Sequence, residues 1–296
     1  MQRLPLAKLH RLSSALAACC LMAAAALAQN PPAALPMPAG QAPAQSHPAT
    51  KANDELLAKA GKLYYSTVKS GLDGFECAVH PDWRTFFATA EKGSTVAADD
   101  PRVVLLKSVK ITFHARMAGN SSLDWSVPAT ADKPLDEDST DLLDAMHQSA
   151  EQTLMGFMQF WSPFVNGSAV PASSEGLEVT QAENGTTLHA EQGGTSVTEV
   201  MDSQLVLKQF RVAMSQMTIE FEPAFQSTDQ GLLVTSFAAH IQPAGAAPEK
   251  AQEMHVTIGY QTVDGFQIPA QISMNLGGGG ELDFVLDGCT VSRQPK

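Results

Sequence analysis

Met217-Thr-Ile-Glu-Phe-Glu-Pro-Ala-Phe225 alternates apolar and polar residues, and three further segments in the same third of the chain do the same. They are Leu232 to Ile241, Met254-His-Val-Thr-Ile-Gly-Tyr260 and Phe266-Gln-Ile-Pro-Ala-Gln-Ile-Ser-Met274. A closing run, Glu281-Leu-Asp-Phe-Val-Leu286, leads to Cys289. Successive side chains of a strand point to opposite faces, so a period of two gives each segment one apolar and one polar face. Asp229-Gln230-Gly231, Asp264-Gly265 and the glycines between Gly277 and Gly280 supply the turns. The reading is a large antiparallel sheet with one greasy face.

The same pattern extends upstream. Asn184-Gly185 is a hairpin signal between Leu177 to Ala182 and Thr186 to Glu191. Thr195 to Val200 and Leu205 to Val212 follow as strands. Nearer the start, Gly74 to Val79 reads as a first strand. Val109, Ile111, Phe113, Ala115 and Met117 share one face of another, which turns at Gly119-Asn120-Ser121 into Leu123, Trp125 and Val127. No crossover helices recur between strands, which fits an antiparallel sheet.

Two helices stand out. Leu56, Leu57, Ala60, Leu63, Tyr64 and Val68 recur at spacings of three and four after a cap at Asn53 or Asp54, and Ser70-Gly71 ends the run. The longer helix is capped at Ser139 or Thr140, carries Leu142, Leu143, Met146, Ala150, Leu154, Phe157, Met158 and Trp161, and is expected to stop at Pro163. A shorter one, Asp82 to Ala90, carries Trp83, Phe86 and Phe87.

The first 28 residues read as an export signal: Arg3, Lys8 and Arg11, an apolar run from Leu12 to Ala26, and a small-x-small site at Ala26-Leu27-Ala28. Leu16-Ala17-Ala18-Cys19 also matches a lipobox, whose cysteine becomes a lipidated first residue. The apolar run continuing past Cys19 favours the plain signal. Residues 29–50 are a Pro/Ala-rich linker, and 51–296 form one domain. Removing Arg3, Lys8 and Arg11 leaves 16 basic residues against 31 acidic ones, a net charge of −15. That balance argues against nucleic acid and against anionic membrane surfaces. It leaves Cys77 and Cys289, an even count in an exported chain, which suggests a disulfide.

No nucleophile elbow, His-Glu-x-x-His or Cys-x-x-Cys occurs. His47, His80, His114, His147, His189, His240 and His255 are scattered singly. The acidic run Asp136, Glu137, Asp138, Asp141, Asp144 lacks calcium-loop spacing and reads as a solvated helix start. These observations point to a binding protein without cofactor or metal and not to an enzyme. The fold class is α+β: an open, unclosed, curled antiparallel barrel of about 10–12 strands with two main helices over its concave face. Such an interior suits an apolar ligand. The lining set is Met217, Ile219, Phe221 and Phe225; Met254, Val256, Ile258 and Tyr260; and Phe266, Ile268, Ile272 and Met274. Phe157, Met158 and Trp161 cover it. Met and aromatic side chains adapt to varied apolar partners, so the long helix reads either as a lid or as a plain core helix. A fully packed interior, in a structural or partner-binding cell-envelope module, is the other reading.

The signal, the helix from Glu55 to Val68, and Ile258-Gly-Tyr-Gln-Thr-Val-Asp-Gly-Phe-Gln-Ile-Pro-Ala-Gln-Ile272 followed by Leu282-Asp-Phe-Val-Leu286 resemble the LolA-like periplasmic lipoprotein carriers, and more broadly the LolA/LolB-like lipid-binding proteins. The resemblance implies an unclosed antiparallel barrel with a helical lid, holding a lipid or the acyl chain of a lipoprotein in the periplasm, without chemistry. The chain departs from that pattern in its Cys77–Cys289 pair and in the long stretch before Val109. It also lacks the carriers' cargo-engaging Arg-Pro segment, for which Arg116 is the positional candidate.

Overall fold

The computed structural model describes residues 47–91, 94–118, 120–128, 135–167, 169–247, 251–277 and 280–294. The expected signal, Cys19 and most of the expected linker lie outside them. The last four linker positions are described, and they are tied to the domain: Gly176 N–H donates to His47 O at 2.9 Å, and Thr50 N–H donates to Ser174 Oγ at 3.2 Å.

Helix α1 (Lys51–Gly61) starts at Thr50, whose side chain caps Asn53 N–H. A single turn, α2 (Thr67–Ser70), precedes β1 (Leu72–Pro81). Helices α3 (Trp83–Ala90) and α4 (Pro101–Ser108) follow, then β2 (Lys110–Arg116) and β3 (Ser122–Ser126). Helix α5 spans Glu137–Val165. Nine strands complete the chain: β4 (Glu178–Ala182), β5 (Gly185–Gln192), β6 (Thr195–Asp202), β7 (Leu207–Ala213), β8 (Met217–Thr228), β9 (Gly231–Pro243), β10 (Gln252–Val263), β11 (Phe266–Leu276) and β12 (Gly280–Arg293).

All twelve strands form one antiparallel sheet, ordered β3-β2-β1-β12-β11-β10-β9-β8-β7-β6-β5-β4. From β4 to β12 it is a plain meander, and the first strand closes onto the last. The sheet is open, with β3 and β4 as its free edges, and it is not the strongly curled half-barrel expected. Of the two main helices expected, α1 has 11 residues and α5, the one long helix, has 29. Twelve strands spaced about 4.8 Å apart span roughly 53 Å, and a 29-residue helix is about 44 Å long. Near its start α5 meets Trp125 on β3 through His147, and near its end Phe160 and Trp161 reach Phe75 on β1, Tyr260 on β10 and Phe221 on β8. One helix laid across the strands can thus bury most of the apolar face without the edges approaching each other. Among the described residues no helix is long and apolar enough to cross a membrane.

Local departures from the sequence reading have backbone causes. The first helix stops at Gly61 and does not run to Val68, which is exposed. Tyr64 instead bridges Leu232 on β9; Tyr65 N–H donates to Leu232 O and Leu232 N–H to Leu63 O, replacing the helical ladder. Helix α5 is capped by Asp136 and not by Ser139 or Thr140. It contains Pro163, and its last turn survives because Asn166 N–H still reaches Ser162 O. Helix α4 was not foreseen: Asp100 caps it and Pro101 sits in its first turn, where a missing N–H costs nothing.

Cys77 and Cys289 form a disulfide between β1 and β12. Leu282, Phe284 and Leu286 on β12 are buried, which places even-numbered residues on the inner face. Between the pairs Glu76↔Thr290 and Ala78↔Asp287 the register shifts by one residue. Gly288 takes φ +58°, the left-handed conformation a glycine bulge requires. The extra residue moves Cys289 onto the face of Phe75, Cys77 and Val79.

Candidate binding face

The three strand sets expected to line a ligand site share one face of the sheet. Met217, Ile219 and Phe221 of β8, Met254, Val256 and Ile258 of β10, and Phe266, Ile268, Ile272 and Met274 of β11 are all buried. Phe225 and Tyr260 are half-buried. Phe157, Met158 and Trp161 of α5 are buried above them, with Phe157 stacked on Trp161. The sequence list missed Phe160 and Phe164, which lie at helical spacing from Phe157 and Trp161. Phe160 contacts Phe221 and Phe237, and Phe164 contacts Phe221, Phe225 and Phe237. Helical spacing from Phe157 was the available signal for both.

Most side chains of this interface are buried. A hollow of about 10 Å³, room for about one water, sits between α3, α5 and β12. A second, of about 120 Å³, lies on the opposite, polar face among Glu76, His114, Arg116, Thr290 and Ser292. Neither adjoins the three strand sets. On that polar face His114 lies 3.1 Å from both Glu76 and Asp124, and Arg116 pairs with Asp73 at 3.0 Å. Among the described residues no group of three or more His, Cys, Asp or Glu could hold a metal ion.

Among the described residues, several polar links between α5 and its surroundings lie near its C-terminal end. Asn166 Nδ2 donates to Met117 O at 2.7 Å, Thr67 Oγ1 donates to Val165 O at 3.1 Å, and Val68 N–H donates to Asn166 O. At mid-sheet, Trp161 Nε1 donates to the Tyr260 hydroxyl at 2.9 Å, and that hydroxyl donates to Val234 O at 2.6 Å. Burial pushes the Tyr260 phenol well above its ordinary range. Nearer its start, α5 is held by His147 stacked on Trp125. Two buried polar atoms of α5, His147 Nε2 and Gln159 Oε1, have no hydrogen-bond partner.

A third such atom is Glu199 Oε2 on β6. Glu199 interrupts a cross-strand row on the inner face that runs Val179, Leu188, Glu199, Phe210, Phe221, Ala239, Met254, Leu276. Burial pushes its carboxyl up to about 8. Nearby, the Tyr64 hydroxyl donates to Leu205 O at 3.2 Å and accepts from Leu207 N–H at 2.7 Å. It clamps the β6–β7 turn, where Leu205 adopts φ +63°. Burial pushes the Tyr64 phenol up to about 12, and the charge of Glu199 adds to the shift.

Compared with family models, with curated proteins and with solved structures, the chain has no match.

Proposed function

We propose that the protein is an exported, non-catalytic binding protein that holds a lipid or the acyl chain of a lipoprotein against the apolar face of its sheet, with α5 as the cover that lifts. The observation that carries this reading is the manner in which α5 is attached. Among the described residues, hydrogen bonds from α5 to neighbouring elements are found at Val165 and Asn166 and, one turn earlier, at Trp161, while much of the remaining interface is aromatic and aliphatic. An apolar interface loses little specificity when an alkyl chain replaces one side of it, and the anchored end provides a hinge. The unpartnered His147 Nε2 and Gln159 Oε1 weaken the seated arrangement further, because each would regain a partner in water. The disulfide fits an oxidising compartment, hence a periplasmic or secreted location. The likeness to LolA-like carriers enters as a proposal about the class of function.

The packed interior favours a second reading, a structural or partner-binding envelope module that never opens. Native mass spectrometry of gently purified protein, with uptake of an apolar dye, separates the two. Co-purifying lipid or saturable dye uptake supports the carrier. A lipid-free protein that takes up no dye, even in mild detergent, supports the module and sinks the carrier.

A further inference from the structure

We propose that Glu199 anchors the amine head of a long-chain amphiphile whose chain lies along the cross-strand row of the inner face. The inference rests on the carrier reading and names its ligand class. From Glu199 the row continues through Phe210, Phe221 and Ala239 to Met254. That is four strand spacings, about 19 Å, enough for an extended alkyl chain of a dozen carbons. Glu199 is the one charged residue of the row, and it stands two strands beyond β8, where Phe160 and Phe164 of α5 make their aromatic contacts. A chain under the lifted helix would therefore end its path at a carboxyl.

The head chemistry follows from what surrounds that carboxyl. Its cross-strand neighbours are Leu188 and Phe210, which offer no side-chain donor. The Tyr64 hydroxyl has already spent its proton on Leu205 O. Glu199 Oε2 is left without a partner, an arrangement that folding alone disfavours. An ammonium group would supply the missing donor and the compensating charge. Once Glu199 is ionised, a carboxylate head would instead set like charges together. The chain's net charge of −12 also draws cations toward the protein.

Dodecylamine and dodecanoate share a chain and differ in the head, so their binding to the intact protein tests the proposal. Each is titrated at pH 9, where Glu199 is ionised and the amine still carries its proton, below its micelle concentration against wild type and Glu199→Gln, with displacement of an apolar dye as the readout. Wild type is expected to prefer the amine by at least roughly tenfold. Glu199→Gln should lose the preference while keeping its affinity for dodecanoate and its cooperative thermal transition. Equal affinities in wild type, or a preference that persists in Glu199→Gln, overturn the assignment while leaving the carrier intact. Failure of both chains and of the dye to bind wild type removes the carrier reading and this inference with it.

Discussion

Trp161 on α5 donates its indole proton to the Tyr260 hydroxyl on β10, and Tyr260 passes the bond on to the backbone oxygen of Val234 on β9. One phenol thus couples the covering helix to two strands at the middle of an otherwise apolar interface. Tyr260→Phe keeps the ring and removes both bonds, leaving the fully buried Trp161 N–H and the Val234 carbonyl without their partner. The expected loss is about 1–3 kcal/mol in urea unfolding. If α5 is a lid, the same variant takes up more apolar dye than wild type at a concentration where both are folded. A destabilised variant with unchanged uptake would mark Tyr260 as a core tie only.

The disulfide makes a separate prediction. It links residues 212 apart, so it holds the first strand against the last even in the unfolded chain. Replacing both Cys77 and Cys289 with Ser should cost roughly 2–5 kcal/mol, and adding reductant to wild type should reproduce most of that loss. The β1–β12 ladder remains, so the reduced protein should still unfold cooperatively, which circular dichroism at rising temperature would reveal. An unchanged midpoint on reduction would mean that the bond is absent in solution.

Much of the sheet is written in alternation. The strands from Met217 to Leu286 appear where period two places them, because one face of each is almost wholly apolar. The Cys77–Cys289 pairing could be read from the even count, but the bulge at Gly288 that makes it geometrically possible could not, since a bulge leaves no periodic trace. The break after Gly61 was hidden because Leu63 and Tyr64 continue the helical spacing while their backbone pairs with a distant strand. The strong curl was inferred from strand number alone, which does not register that one 29-residue helix can cover the face. Glu199 was missed for a different reason. In Thr195-Ser-Val-Thr-Glu-Val-Met-Asp202 both alternate sets mix polar and apolar residues, so alternation does not decide which face turns inward.

Gly231 is where that hidden pairing can be tested. It takes φ +118°, and a Cβ there would lie 2.8 Å from Leu63 O, Tyr64 C and Tyr65 N. These are backbone atoms that cannot rotate away. Gly231→Ala should therefore cost more than about 2 kcal/mol and speed hydrogen exchange at the Tyr65 and Leu232 amides. Gly265→Ala is the control. Its φ of +88° is also left-handed, but nothing lies within 4 Å of the added methyl, so a loss nearer 1 kcal/mol is expected. Equal losses at the two sites would show that the contact of the Leu63–Tyr65 segment with β9 contributes little.

The strongest pH dependence should come from Glu199. Its carboxyl rises from 4.5 to about 8 on folding because burial disfavours the charged form. Below pH 4.5 both the folded and the unfolded chain keep the proton, and the site costs nothing through ionisation. Between 4.5 and 8 the unfolded chain releases the proton while the folded chain holds it, so stability falls by up to about 1.4 kcal/mol per pH unit. Above pH 8 both forms are ionised and the penalty levels off. Glu199→Gln has no proton to lose. Its advantage over wild type should be smallest at pH 4, grow steadily to pH 8, and then stay constant. Urea midpoints of the two proteins, measured in parallel from pH 4 to pH 9, check this directly. Parallel curves across that range would mean that Glu199 reaches solvent or a donor in the folded protein, and its side chain would then no longer be an unpartnered acid on the inner face.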